Sequence, residues 1–146
     1  WRRSFMDVDE AAKKPKAVKL EVTSSLPPGV GLQEKWNITT ASDGSTWWYR
    51  YKEGNQGEGQ NECTVNSGTQ TFPVEFVQKS ADFRMLAYVN KSSPTDMSGV
   101  VAADQKTATV SDSCLNVGDF YWGLIVYHKD APGVTISCDP ITRNRQ

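Results

Sequence analysis

The chain is poor in the side chains that do chemistry. It has one histidine, His128, and three cysteines, Cys63, Cys114 and Cys138, with no Cys-x-x-Cys pair among them. That spacing speaks against a zinc site built from Cys and His. No glycine-rich phosphate loop and no nucleophile elbow is present, so nucleotide chemistry and esterase-like catalysis lack their usual frames. No apolar run approaches the roughly 20 residues that span a bilayer, which argues against membrane insertion. Neither sign of charge dominates: 16 Lys and Arg face 17 Asp and Glu. A nucleic-acid binder would show a basic excess. The opening Trp-Arg-Arg-Ser-Phe-Met carries no apolar stretch behind its arginines, so no signal peptide is expected. With no initiator Met, the expectation is a piece of a longer polypeptide.

An odd cysteine count at long, unequal spacing is not a disulfide framework. The expectation is three free thiols, at least one of them buried as a small apolar residue. The alternative is one bridge, Cys114 to Cys138, with a spare thiol.

What the chain does have is alternation. Residues 119–127 read Asp-Phe-Tyr-Trp-Gly-Leu-Ile-Val-Tyr. Phe120, Trp122, Leu124 and Val126 fall on one side of an extended chain, and Tyr121, Ile125 and Tyr127 on the other. A strand apolar on both faces is central in a sandwich, or has one face on the core and one on a partner. Val18, Leu20 and Val22 alternate with Lys19, Glu21 and Thr23, a half-buried strand. Trp36, Ile38 and Thr40 alternate as well, and Asp43-Gly44 signals a hairpin turn after them. Phe72, Val74 and Phe76 form another strand, which Pro73 assigns to an edge. Residues 83–89, 100–102 and 107–110 follow, the last two as a hairpin around Asp104 and Gln105. A turn at residues 129–133 leads into Val134, Ile136 and Cys138. The stretch 54–61 is a polar, glycine-rich loop, expected to be mobile; residues 90–99 form a second loop. Seven to nine strands with almost no helix predict an all-β chain, a single antiparallel β-sandwich or jelly-roll-like barrel with an N-terminal linker arm. Pro27-Pro28-Gly29-Val30-Gly31 reads as a hinge. It divides a linker or arm at residues 1–31 from a β domain at residues 32–146.

The candidate sites are few. His128 as a general base would need a serine such as Ser111 or Ser113 beside it. Without a nucleophile motif, an exposed turn histidine and no enzyme activity are expected. Asp96, Asp104, Asp112, Asp119, Asp130 and Asp139 could offer oxygens to calcium, but no ligand spacing supports it, and no cofactor is expected. Trp47-Trp48-Tyr49-Arg50-Tyr51 is the most unusual run. Alternation puts Trp47, Tyr49 and Tyr51 on one face and Trp48 and Arg50 on the other. An outward Trp beside an Arg suits a sugar, a base or a protein interface, where both residue types are enriched. With Tyr121 and Tyr127, these five form the candidate interface or receptor residues. Asn37-Ile38-Thr39 and Asn90-Lys91-Ser92 match the glycosylation acceptor pattern.

The strand at residues 16–23, the Pro-Gly hinge and the β domain running to Thr142-Arg143-Asn144-Arg145-Gln146 together resemble a viral spike. The family is the C-terminal protruding domain of small icosahedral RNA-virus capsid proteins, of the nodavirus or tombusvirus kind. That resemblance implies a shell strand ending in Val18 to Val22 and a spike beyond the hinge. It further implies a homodimer on the virion surface that attaches to a host-surface receptor, a glycan among the candidates. The other expectation is a secreted carbohydrate-binding or adhesion module with a β-sandwich fold, for which Trp48 and the two acceptor motifs speak.

Overall fold

A computed structural model describes residues 14–26, 36–139 and 141–145, of which 141–143 are described by their backbone alone. The described chain is all-β, with eleven strands, one 3-10 turn at Gln78–Ser80 and no α-helix. The strands are β1 (Val18–Thr23), β2 (Asn37–Thr40), β3 (Thr46–Glu53), β4 (Asn61–Thr64), β5 (Gln70–Phe76) and β6 (Phe83–Asn90). They continue as β7 (Met97–Val101), β8 (Thr107–Asp112), β9 (Gly118–His128), β10 (Ile136–Cys138) and β11 (Ile141–Arg145).

They form two sheets. The first is a curled half-barrel in the order β2-β3-β1-β5-β8-β7. The second is built on β9, whose one edge pairs with β6 and whose other edge pairs with β11 over its first half and β10 over its second; β4 lies parallel to β11. This is not a clear jelly roll.

Between β10 and β11 the chain crosses over Gly123. A Cβ on Gly123 would collide with the Asp139 carboxylate and stand 3.3 Å from the Cys138 carbonyl oxygen, so a larger residue there would have to push the Asp139 side chain aside. One core lies between the sheets. Leu20, Tyr49, Tyr51, Phe72, Val74 and Val110 reach it from the first sheet; Met85, Phe120, Trp122, Leu124 and Val126 from the second. Trp122 is the largest fully buried side chain. Its ring meets Tyr51 at 6.0 Å, Phe72 at 6.0 Å and Tyr88 at 5.7 Å, in edge, tilted and stacked arrangements respectively. The Tyr51 hydroxyl donates to the Cys138 carbonyl at 2.8 Å, so a polar bond also crosses between sheets inside the core.

Several expectations change here. β1 is not the end of a linker. It sits inside the first sheet, antiparallel to β3 and parallel to β5, with Leu20 opposite Tyr51 and Phe76. Val18, Leu20 and Val22 are buried in the common core. The Ser80 hydroxyl then closes the strand's end, accepting from Val22 N at 2.9 Å and donating to Val22 O at 3.1 Å. The residues expected to form the hinge, and most of the N-terminal arm, lie outside the described residues. Pro73 does not mark an edge, because β5 is flanked by β1 and β8. β1 pairs only from Val74 onward, so the proline stands just before that ladder begins. The 54–61 loop is tied down rather than loose. The buried Asn61 side chain accepts from the backbone N–H of Lys16 at 2.9 Å and of Asn55 at 2.8 Å, and Asn55 in turn donates to the Glu62 carbonyl at 2.7 Å.

The cysteines differ from both expectations. Cys63 and Cys114 form a disulfide, and Cys138 is the free, buried thiol. A spacing of 51 residues gives no local cue to that partnership. The two residues meet only because β4 and the segment after β8 are folded together.

A central strand cannot be dispensed with, since its loss exposes the ladders of both neighbours. Removing residues 1–26 is expected to abolish cooperative unfolding, read by circular dichroism in urea. The milder Leu20→Ala change is expected to cost about 2–5 kcal/mol in the same titration. A truncated chain that still melts cooperatively would show that the sheet closes without β1.

Candidate functional site

The strand β3 is amphipathic with period two, and the structure sorts its aromatics accordingly. Tyr49 and Tyr51 are buried, and Trp47 is half-buried with its ring edge-on to Phe83 at 5.7 Å. Trp48, Arg50 and Lys52 lie on the alternate positions and are half-buried. The neighbouring strands place their own alternate residues beside them. Glu21 of β1 is opposite Arg50, Thr23 opposite Trp48, and Ile38 of β2 opposite Trp48 on the other side.

Glu21 organises this face. It is only 6% exposed, yet it is charged and sits on a strand whose other buried residues are apolar. Two cations meet it: Arg50 Nε donates to Glu21 Oε1 at 3.0 Å, and Lys52 Nζ lies 3.3 Å from the same oxygen. Burial pushes the Glu21 carboxyl up, but the hydrogen bonds and charges of Arg50 and Lys52 outweigh it and hold the group below its ordinary value. Held this way, the Arg50 guanidinium lies 4.3 Å from the centre of the Trp36 ring, a cation–π contact. The Trp36 indole N–H is buried, and among the described residues it has no hydrogen-bond partner. Ile38, 68% exposed, and the half-exposed Trp48 complete an apolar strip next to the guanidinium. A fixed cation, an aromatic ring and an apolar strip on one open sheet face can stack against a flat ligand and hydrogen-bond its rim.

The other candidate aromatics are elsewhere. Tyr121 and Tyr127 lie on the alternate positions of β9, away from Trp122. Tyr121 is exposed, and the Tyr127 hydroxyl bonds to Gln105. The structure therefore does not gather the seven residues into one place. It brings Trp48 and Arg50 together, sends Trp47, Tyr49 and Tyr51 toward the core, and leaves Tyr121 and Tyr127 on the second sheet. The residues that sequence reasoning left out of the site are Glu21, Trp36 and Ile38. Each was read as part of an alternating strand, and only strand pairing shows that they flank Trp48 and Arg50.

His128 is half-buried at the end of β9, not fully exposed. Its ring is edge-on to Phe83 at 5.2 Å, and Nδ1 accepts from the Asp130 N–H at 3.1 Å. Among the described residues no hydrogen bond links it to Ser111 or Ser113. The six aspartates proposed as calcium ligands are mostly dispersed. Asp104 turns back to the Lys106 N–H, Asp130 faces His128, and Asp119 pairs with Arg145 at 3.1 Å. Asp96 and Asp112 do meet, through the amide of Asn144, which donates to both at 2.9 Å. The acceptor-motif residues Asn37 and Asn90 are both exposed.

No family model matches the chain, and no curated protein matches it. Among solved structures it is similar to an inclusion body protein (PixA) from Burkholderia cenocepacia J2315, at a TM-score of 0.38 and 8% identity, over 90% of this chain and 96% of that one. A likeness that weak transfers neither fold nor function. The expected viral resemblance is withdrawn: the match is to a bacterial inclusion body protein and not to a capsid, and no viral family is matched. The strand read as the end of a viral shell is an interior strand of this chain's own first sheet.

Proposed function

We propose that this chain is a non-catalytic, extracellular carbohydrate-binding module of β-sandwich type. Its ligand face is the outer side of the first sheet around Trp36, Ile38, Trp48 and Arg50. The observation that carries this reading is the Arg50 guanidinium, pinned over the Trp36 ring by the buried Glu21. Holding a cation flat on an aromatic ring lowers the ordering cost that a ligand would otherwise meet. Sugars present C–H faces to rings such as Trp48 and hydroxyls to donors such as Arg50 and Lys52, and this face offers both. The Cys63–Cys114 disulfide supports an oxidising setting. The exposed Asn37 and Asn90 are compatible with glycosylation in the same compartment. The environments of His128, Ser111 and Ser113 supply no nucleophile–base pair, which supports binding rather than catalysis.

The direct test is a glycan array probed with wild type and Trp48→Ala. Binding to a defined set of glycans, reduced at least tenfold by Trp48→Ala in a follow-up titration, is the expected result. A chain that binds no glycan, or binds equally well without Trp48, would sink the reading.

A second test reads the Glu21 clamp by pH. Because the folded carboxyl lies below its ordinary value of 4.5, its contribution is complete above that pH and is lost as pH falls through the folded value. Glu21→Gln is therefore expected to lose about 1.5 kcal/mol at pH 7, the low end for hydrogen bonds to charged groups. In urea titrations the gap to wild type should close below pH 4.5. A gap that stays constant down to strong acid would mean that Glu21 stabilises through packing alone.

A further inference from the structure

Where the end of β8 in the first sheet meets β4 and β11 of the second, four buried side chains converge. Cys63 of β4 stands opposite Asn144 of β11, and Asp112 closes β8 two residues before Cys114. Cys63 is 2% exposed, Asp112 1%, and Cys114 and Asn144 not at all. The Sγ atoms of Cys63 and Cys114 and a carboxylate oxygen of Asp112 all lie within 4.8 Å of one another.

Hydrogen bonds fix how these groups point. Asp112 Oδ1 accepts from Cys114 N at 2.8 Å and from Asn144 Nδ2 at 2.9 Å. Asn144 Nδ2 also donates to Asp96 Oδ2 at 2.9 Å, which uses both of its N–H bonds. Asp96 is itself held by the backbone N–H groups of Leu115 and Asn116, at 2.9 and 2.8 Å. Two carboxylates thus fix which way the Asn144 amide points. The oxygens left over both face one sulfur: Asp112 Oδ2 is 3.4 Å and Asn144 Oδ1 3.2 Å from Cys63 Sγ. A disulfide sulfur carries no hydrogen, so neither contact is a hydrogen bond. Two sulfurs and two acceptor oxygens thus converge among side chains that are at most 2% exposed.

We propose that reduction of the Cys63–Cys114 disulfide opens a binding site for one zinc-class divalent cation, held by Cys63, Cys114 and Asp112 with the Asn144 amide oxygen as the fourth donor. A dithiol supplies the two electrons. It is oxidised to its own disulfide while Cys63 and Cys114 become thiols. Cation binding then expels the two thiol protons. Two thiolates, a carboxylate and an amide oxygen make a four-donor set suited to a tetrahedral ion of zinc type. The soft sulfur donors select against calcium and magnesium. The oxidised chain has no thiolate to offer and stays closed to the metal. The site stands at a distance in sequence and sheet from the proposed glycan face and does not depend on that reading.

The test is cobalt titration of the full chain, once oxidised and once reduced with dithiothreitol and desalted without oxygen. The reduced chain is expected to bind one Co2+, with a thiolate-to-cobalt charge-transfer band and a tetrahedral d–d spectrum that added Zn2+ abolishes; the oxidised chain shows neither. Asp112→Asn should weaken binding at least ~10-fold, Cys63→Ser should lose the charge-transfer band, and Cys138→Ser should leave the spectrum unchanged. Circular dichroism of reduced wild type, with and without metal, guards against misfolded variants: the folded signal must persist or be restored when metal binds. No band in reduced wild type, a band that survives Cys63→Ser, or binding seen only in the unfolded chain would each overturn the proposal.

Discussion

The two sheets are held together through Trp122. Its ring touches Tyr51 and Phe72 of the first sheet and Tyr88 of its own, and no part of it reaches solvent. A side chain of that size can be buried only if the facing residues leave room for it and the strands stay in register. A slip of β9 by one residue would exchange Trp122 for Tyr121, turning the exposed ring inward and the buried one out. The register of β9 is accordingly guarded on both edges, by β6 on one side and by β10 and β11 on the other. The close approach of the chain at Gly123 depends on the same alignment, because a residue without a Cβ lies where the chain leaves β10.

The first sheet rests on that packing and carries the proposed recognition face on its outer side. β1 serves both layers. Leu20 and Val22 fill the core, and the residue between them, Glu21, faces outward to clamp Arg50 and Lys52. The charge is tolerable at so low an exposure because two cations and the strand backbone surround it. It also contributes geometry, since its carboxylate helps hold the Arg50 guanidinium over the Trp36 ring. The proposed binding face is therefore an extension of the fold and not a loop added to it.

The opposite end of the molecule follows a different logic. There the fold brings carboxylates and an amide together with a pair of sulfurs, and the donors that reach the carboxylates fix how each group points. Burial pushes the Asp112 carboxyl up, and the charge of Asp96 adds to that, while the Asn144 amide and the Cys114 N–H pull the other way. Asp96 feels burial too, but the donors around it prevail and keep it below its ordinary value. Two acids separated by one shared amide are thus driven apart in acidity, first by burial, which prevails at Asp112, and then by the donors, which prevail at Asp96.

Period-two alternation was legible from the residues alone, and with it the all-β class, the inward set Phe120, Trp122, Leu124 and Val126, and the opposite facing of Tyr49 and Arg50. Turn chemistry was legible too: Gly44 takes a positive φ of 86° where Asp43-Gly44 announced a hairpin, and the turn after His128 falls where residues 129–133 placed it. These features are local, since each depends on a side chain and its immediate neighbours. Partnership is not local. That β1 lies between β3 and β5, that Pro73 sits in an interior strand, that β4 exists at all, and that Cys63 finds Cys114 are outcomes of pairing between segments far apart in the chain. The same holds for the two sites. Glu21, Trp36 and Arg50 come from three separate segments of the chain, and Cys63, Asp112 and Asn144 from three different strands. Only the sheet order, which leaves few ladder edges exposed and buries apolar surface for the whole chain at once, decides which of them touch.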